Sequence, residues 1–180
     1  MKIRIIGSCG SGKSTLSREL SKRYDIPYYE IDNIIWDRSA GNLKYPVDIR
    51  NNTFMEIINT KCWIMEGVQS NDWTVESFSQ SDYIVILNPN VYIRDYRIFK
   101  RFIKSRTGIE PWNYKQSMRN LIKMMVKWNH GYRLDELITQ TDLYHNKRYI
   151  VKNINEIIKI IQEQKGTELL DVFSGQEQEI

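Results

Sequence analysis

The chain has 180 residues, 41% of them hydrophobic and 27% charged, the balance of one globular domain and not of a disordered segment. Its longest apolar run, Tyr83–Leu87, is five residues, far short of a membrane span, and the start MKIRIIGSCG lacks a leader's apolar core; Cys9 and Cys62 make neither a disulfide framework nor a C-x-x-C site, so a reducing cytoplasm is the expected location. The net charge of +4 hides a segregation, since residues 94–133 carry +9 and the remainder −5, which suits an anionic ligand, either a nucleotide or a nucleic acid.

Lys2–Ile6 is a short β-rich run ending at Gly7 and reads as a strand. A Gly/Ser loop follows, then a helix over Lys13–Tyr24 with Leu16 and Leu20 on its buried face. Ile26–Ile31 reads as a second strand, Asp37–Tyr45 as a polar loop, and Val47–Thr60 as a helix. Cys62–Met65 is a third strand closed by Glu66 and Gly67, and Asn71–Gln80 a short helix. Tyr83–Leu87, apolar throughout, is a strand buried on both faces. A basic helical zone from Tyr92 to Trp128 is interrupted near Gly108 and Pro111, and Leu134–Leu143 reads as helical. Arg148–Val151 is a fifth strand, and Asn153 with Glu156 caps a last helix. The acid-rich tail from Gly166 is expected to be loosely ordered.

Five strands alternating with helices predict an α/β fold on a five-stranded parallel sheet. Ligands bind beyond the carboxyl ends of such strands. After the first strand stands Gly7-Ser8-Cys9-Gly10-Ser11-Gly12-Lys13-Ser14, followed by Thr15, a full match to G-x-x-x-x-G-K-[ST]. The glycines let backbone N–H groups curl around phosphate oxygens, and the helix N-terminus adds its dipole. Lys13 is placed to reach the β- and γ-phosphates of ATP, and Ser14 to ligate Mg²⁺. Cys9 fills a free position of the loop, either as a redox-sensitive thiol or as a small tolerated residue.

Phosphoryl transfer also needs carboxylates and cations. Asp32 and Glu66 are expected at the ends of the second and third strands, Asp32 to orient or deprotonate an acceptor and Glu66 to share the metal with Ser14. Arg94, Arg97, Arg101 and Lys104 recur along one helical face, with Ile93, Tyr96, Phe99 and Ile103 on another. An arginine stripe can grip phosphate bidentately. Arg50 and Trp36 are candidates for acceptor contact, with solvent for Arg50 and core packing for Trp36 as the alternatives. His130 and His145 lack partners at ligand spacing, so no metal site is expected from them.

The ordered set of the loop, Glu66-Gly67 and Arg97-Ile98-Phe99-Lys100-Arg101 resembles the adenylate-kinase-like P-loop kinases. With Pro27–Asp32 and Trp63–Gly67 added, residues 1–153 look like the bacterial DNA topology modulation (FlaR-like) proteins. The resemblance implies a P-loop NTPase three-layer sandwich with a helical lid, in which Arg97 and Arg101 bind ATP phosphates. One departure stands out: where adenylate kinases carry an arginine for the acceptor nucleotide, this chain has Val68-Gln69-Ser70.

The expected organisation is a single domain over 1–165, with an acceptor insert at 33–60, a basic lid at 105–140 and an acidic tail at 166–180. The expected activity is transfer of the γ-phosphoryl of ATP, with Mg²⁺, to a small acceptor (nucleoside, nucleotide or metabolite). Lys13, Asp32, Arg97 and Arg101 are the catalytic candidates. The alternative is a nucleotide-dependent DNA-binding regulator. Lys115, Arg119, Lys123 and Lys127 recur every four residues near Trp112, Tyr114 and Trp128, a pattern that suits nucleic acid or a lid closing over ATP.

Overall fold

The computed structural model describes residues 1–39, 41, 43–107 and 117–176. Gly108, Glu110, Pro111, Trp112, Tyr114 and Lys115, which belong to the expected lid and basic zone, lie outside the described residues.

The strands are β1 (Lys2–Ile6), β2 (Tyr28–Glu30), β3 (Trp36–Asp37), β4 (Leu43–Lys44), β5 (Trp63–Glu66), β6 (Tyr83–Leu87) and β7 (Arg148–Val151). Five of them form one sheet in the order β2-β5-β1-β6-β7, every neighbouring pair parallel. β1 thus lies in the middle, its connection leading toward β2 while that of β6 leads the other way to β7. Between β1 and β6 the topology switches, and a crevice opens at the carboxyl ends.

The helices are α1 (Lys13–Tyr24), α2 (Ile31–Ile35), α3 (Val47–Ile58), α4 (Glu76–Gln80), α5 (Val91–Thr107), α6 (Met118–Ile122), α7 (Leu134–Gln140) and α8 (Ile154–Gln176), with a π-helical stretch at Lys123–His130. Because side chains alternate along a strand, Ile3 and Ile5 of β1 join Leu16 and Leu20 of α1 and Ile157 and Ile161 of α8 in one core layer. Ile6, Ile84 and Ile86 join Phe78 and Leu137 on the other face. A third cluster (Ile31, Ile34, Phe54, Ile58, Trp63, Met65) seats α2 and α3 against β5. Every residue of β6 is buried, as its unbroken apolar run requires.

Three details differ from the expected pattern. The second strand is shorter than Ile26–Ile31, because Ile31 and Ile34, three apart, bury together and draw the chain into α2. The polar loop Asp37–Tyr45 contains one arm and part of the other of a minute antiparallel hairpin, β3 with β4, on which Lys44 Nζ lies 5.1 Å from the Trp36 ring. The last helix runs through Gly166 to Gln176, where a loosely ordered tail was expected. Its start is capped as anticipated: Asn153 Oδ1 accepts from Glu156 N at 3.2 Å, and Glu156 Oε2 accepts from Lys152 N at 2.8 Å.

No helix among the described residues is long and apolar enough to cross a membrane.

Candidate active site

The loop Gly7–Ser14 leaves β1 at the switch point and turns directly into α1. Two of its glycines are left-handed, Gly10 at φ +76° and Gly12 at φ +103°. At Gly10 the reason is also steric, since a Cβ would meet the Arg94 carbonyl oxygen at 2.6 Å and Ile98 Cγ1 at 2.9 Å. The loop therefore packs backbone-to-backbone against α5. Gly12 caps α1 without any side-chain hydrogen bond. Ser11 Oγ is buried and has no hydrogen-bond partner, and Lys13 Nζ donates to the Ser8 carbonyl at 3.1 Å. Unspent amides at a helix N-terminus, an orphaned hydroxyl and an ammonium folded over the loop fit an incoming phosphate. Thr15 is exposed on the first turn of α1.

Ser14 Oγ donates to Glu66 Oε1 at 2.5 Å. Glu66 ends β5 and is 6% exposed, so the carboxylate is fixed rather than waving in solvent. A hydroxyl and a carboxylate together are hard oxygen donors of the kind Mg²⁺ takes, one or two from protein and the rest from phosphates and water. Among the described residues there is no group of three or more His, Cys, Asp and Glu side chains that could hold a metal alone.

Asp32 does not end a strand, as the sequence suggested; it sits in the first turn of α2, where a carboxylate is favoured by the helix dipole. It still lies on the rim, and Gln69 Nε2 donates to its Oδ1 at 2.8 Å. Sequence reasoning passed over Glu30, which ends β2 and is the register partner of Glu66. Burial, then the negative charges of Glu66 and Asp32, push the Glu30 carboxyl above the usual range, against the opposing pull of Arg18 and Arg38. An alternating strand that ends in an acid beside another acid was the available signal.

The spacing of the basic helix α5 left open which of its faces is buried, and the structure decides it. Arg94, Ile98, Phe102 and Ser105 form its buried face, whereas Tyr96 is 63% and Phe99 50% exposed. Arg94 is thereby removed from any phosphate-gripping stripe. It donates to Ser8 Oγ at 2.8 Å and Asn88 Oδ1 at 3.1 Å, and burial lowers its pKa. Arg97 NH1 donates to the Ser11 carbonyl at 2.7 Å, and Arg101 NH2 lies 3.3 Å from Cys9 Sγ. Both arginines thus meet the phosphate loop. Asp95, an acid of the basic zone, accepts from Asn129 Nδ2 at 2.6 Å and contacts His130 Nε2 at 2.8 Å, tying the end of the π-helix to α5.

The acceptor candidates fare differently. The Arg50 guanidinium stacks 4.3 Å from the Trp73 ring and donates to Asn51 Oδ1, while Trp36 stands on the hairpin, half-buried. A cavity of about 610 Å³ opens between β2, α2 and α3, with Glu30 in its wall. It is two strand positions from the phosphate loop, about 10 Å by strand spacing.

Beneath the rim lies a buried group that the sequence did not reveal. Arg4 of β1 is fully buried, and desolvation pushes its guanidinium down to about 10, with Glu66 and Tyr132 pulling the other way. Burial likewise pushes the Tyr132 phenol up to about 12, against the pull of Arg94 and Arg4.

No protein-family model matches the chain. A curated shikimate kinase from Paracidovorax citrulli (strain AAC00-1) is 39% identical over 44 residues, 24% of this chain and 24% of that protein, so the likeness spans about a quarter of the relative. Among solved structures, a deoxyadenosine kinase from M. mycoides with its products superposes with a TM-score of 0.54 at 19% identity, covering 93% of this chain and 100% of that one. A shikimate kinase from Acinetobacter baumannii in complex with shikimate gives 0.53 at 19% identity, covering 91% and 94%. At these identities the likeness establishes architecture: the chain has the P-loop kinase fold, a helix-covered five-stranded parallel sheet.

Proposed function

We propose that the chain is an ATP-dependent phosphotransferase that moves the γ-phosphoryl group to a hydroxyl of a small acceptor. The observation that carries this reading is the Ser14–Glu66 hydrogen bond of 2.5 Å beside Lys13, which joins the phosphate loop to a buried acid on the neighbouring strand. A loop that only bound phosphate would not need the acid. Ser14 and Glu66 would hold Mg²⁺, which when bound offsets charge on the β- and γ-phosphates.

Residues of the chain do the rest. Amides of the loop and the start of α1 cradle the phosphates, and Lys13 exchanges its Ser8 carbonyl for phosphate oxygens. Arg97 and Arg101 stabilise charge on the migrating group from the α5 side. As the acceptor oxygen bonds to the γ-phosphorus, the bond to the bridging oxygen of ADP breaks. Asp32, oriented by Gln69, takes or directs the hydroxyl proton. ADP release with ATP, Mg²⁺ and a panel of acceptors tests the reading. Lys13→Ala is expected to lose most turnover, and unchanged turnover in that variant overturns the mechanism.

The finer resemblance, to DNA topology modulation proteins, supports a second reading as a nucleotide-dependent DNA-binding regulator. What favours it is the outward face of α5 and the π-helix, where exposed Tyr96 lies under Lys100 and exposed Trp128 under Lys123, at 5.9 and 5.1 Å. Bases can stack on such aromatics. DNA binding titrated against salt decides it, because an affinity built on phosphate contacts falls steeply with salt. Absence of binding at low salt removes the regulator.

A further inference from the structure

We infer that the acceptor is an uncharged hydroxyl compound with an apolar or aromatic face, the class to which nucleosides belong, and not a nucleotide or a carboxylic acid. The inference rests on the phosphotransferase reading and on the composition of the cavity between β2, α2 and α3. Its volume of about 610 Å³ lies in the range of small-molecule sites.

Anionic acceptors are gripped by arginine or lysine, arginine above all because its planar fork matches carboxylate and phosphate. Among the described residues no arginine or lysine lines this cavity, and the carboxylate in its wall is Glu30. The arrangement of α3 explains why. Ile49, Thr53 and Ile57, spaced by four, turn one face of the helix toward the cavity, while Arg50 lies on the adjoining face and is spent on Trp73 and Asn51. Glu30 also stands beside Glu66 in register and within the field of Asp32, so an anion entering here meets acids from β2, β5 and α2. Arg18 and Arg38 pull on Glu30 in the opposite direction but are not part of the wall.

The wall offers what an uncharged ligand needs. Tyr45, Asn33 and Thr53 bring hydroxyl and amide groups able to donate and accept, and Glu30 accepts from ligand hydroxyls. Tyr29, Ile34 and the α3 isoleucines supply apolar surface for a ring. Gln69 brings an amide and no positive charge to the rim outside the cavity, and that amide is engaged with Asp32.

The test is calorimetric titration of the full chain, loaded with Mg²⁺ and a non-hydrolysable ATP analogue, against matched pairs. Thymidine is compared with thymidine monophosphate, adenosine with adenosine monophosphate, and myo-inositol with shikimate. The expected result is binding of at least one nucleoside, with its monophosphate weaker by about tenfold or more. Thr53→Phe, which fills the cavity, is expected to weaken the nucleoside by a similar factor. Asn33→Ala, at an exposed position, repeats the test should that variant unfold. Tighter binding of the monophosphates or of shikimate overturns the inference, as does failure of every uncharged compound to bind. ADP release is read separately with ATP. A nucleoside that binds without stimulating it leaves the cavity assignment standing and overturns the phosphotransferase reading instead.

Discussion

The buried guanidinium of Arg4 donates through NH2 to the Gln69 carbonyl at 2.6 Å, and Gln69 in turn donates through Nε2 to Asp32 at 2.8 Å. A second Arg4 nitrogen, NH1, donates to the Met65 carbonyl at 3.3 Å, next to Glu66. An internal cation on the central strand therefore stands behind both rim carboxylates, shaping the segment that presents them.

Arg4→Met keeps much of the volume and removes the donors. Each buried carbonyl left without a partner costs about 1–3 kcal/mol. Relief from desolvating a guanidinium offsets part of that. The net expectation is a loss of about 1–3 kcal/mol in denaturant unfolding, together with a fall in kcat/KM for the acceptor while ATP affinity holds. Acceptor kinetics that match the native protein would break the proposed link from Arg4 to Asp32.

Arg97 and Arg101 touch the phosphate loop differently. Arg97 NH1 is bonded to the Ser11 carbonyl, part of the loop's own frame, while Arg101 NH2 rests on the soft sulfur of Cys9 at 3.3 Å. The Arg101 guanidinium, beside the loop rather than bonded into its backbone frame, is placed to turn to a phosphoryl group whose charge is in motion. Arg101→Ala is expected to lower kcat more than it weakens ATP binding. Arg97→Ala, which also loosens the loop, should damage both. Steady-state rates set beside calorimetric ATP affinities check the contrast, and equal losses in Arg101→Ala would make that residue a ground-state binder.

The parallel sheet and the phosphate loop were legible because each rests on local chemistry. Tyr83–Leu87 is apolar at every position and is buried at every position, and a glycine-rich turn between a strand and Lys13 has few other uses. Partnerships across strands were not legible. Nothing in the run Lys2–Ile6 marks Arg4 as buried; pairing of β1 with β5 sets it beside Met65, where it also reaches Gln69, and Phe78 covers its face. Glu30 gains its neighbour Glu66 by the same kind of pairing. Which side of α5 meets the protein was not legible for a related reason. Helical spacing separates its arginines from its aromatics without saying which set packs inward; the phosphate loop offers Arg94 and Arg97 hydroxyl and carbonyl acceptors, and Tyr96 and Phe99 face outward.

Gly10→Ala tests how closely α5 seats on the loop. The added methyl would stand 2.6 Å from the Arg94 carbonyl oxygen, in a left-handed backbone that alanine adopts at a cost. Strain of this kind costs about 1–3 kcal/mol. The loop is expected to lift from α5, with unfolding at lower denaturant and ATP affinity reduced. Native-like stability with native-like ATP affinity would mean that the contact yields freely and positions nothing.

Glu30 gives a pH dependence with a definite sign. Its folded pKa lies above the unfolded value, through burial first and the charges of Glu66 and Asp32 second. The folded state therefore binds the proton more tightly than the unfolded chain does. The stabilisation this confers is fully present below the unfolded pKa, near 4.5, and is lost as pH rises through the folded value. At neutral pH the ionised carboxylate is a burden on the fold relative to its protonated form. Glu30→Gln removes the charge and keeps the shape. The variant should gain stability relative to the native chain as pH is raised from about 4 to about 7, with little difference between them at the acid end. Denaturant unfolding at the two pH values measures it, and a difference that does not change with pH would remove the mutual repulsion of the rim carboxylates from the account of this site.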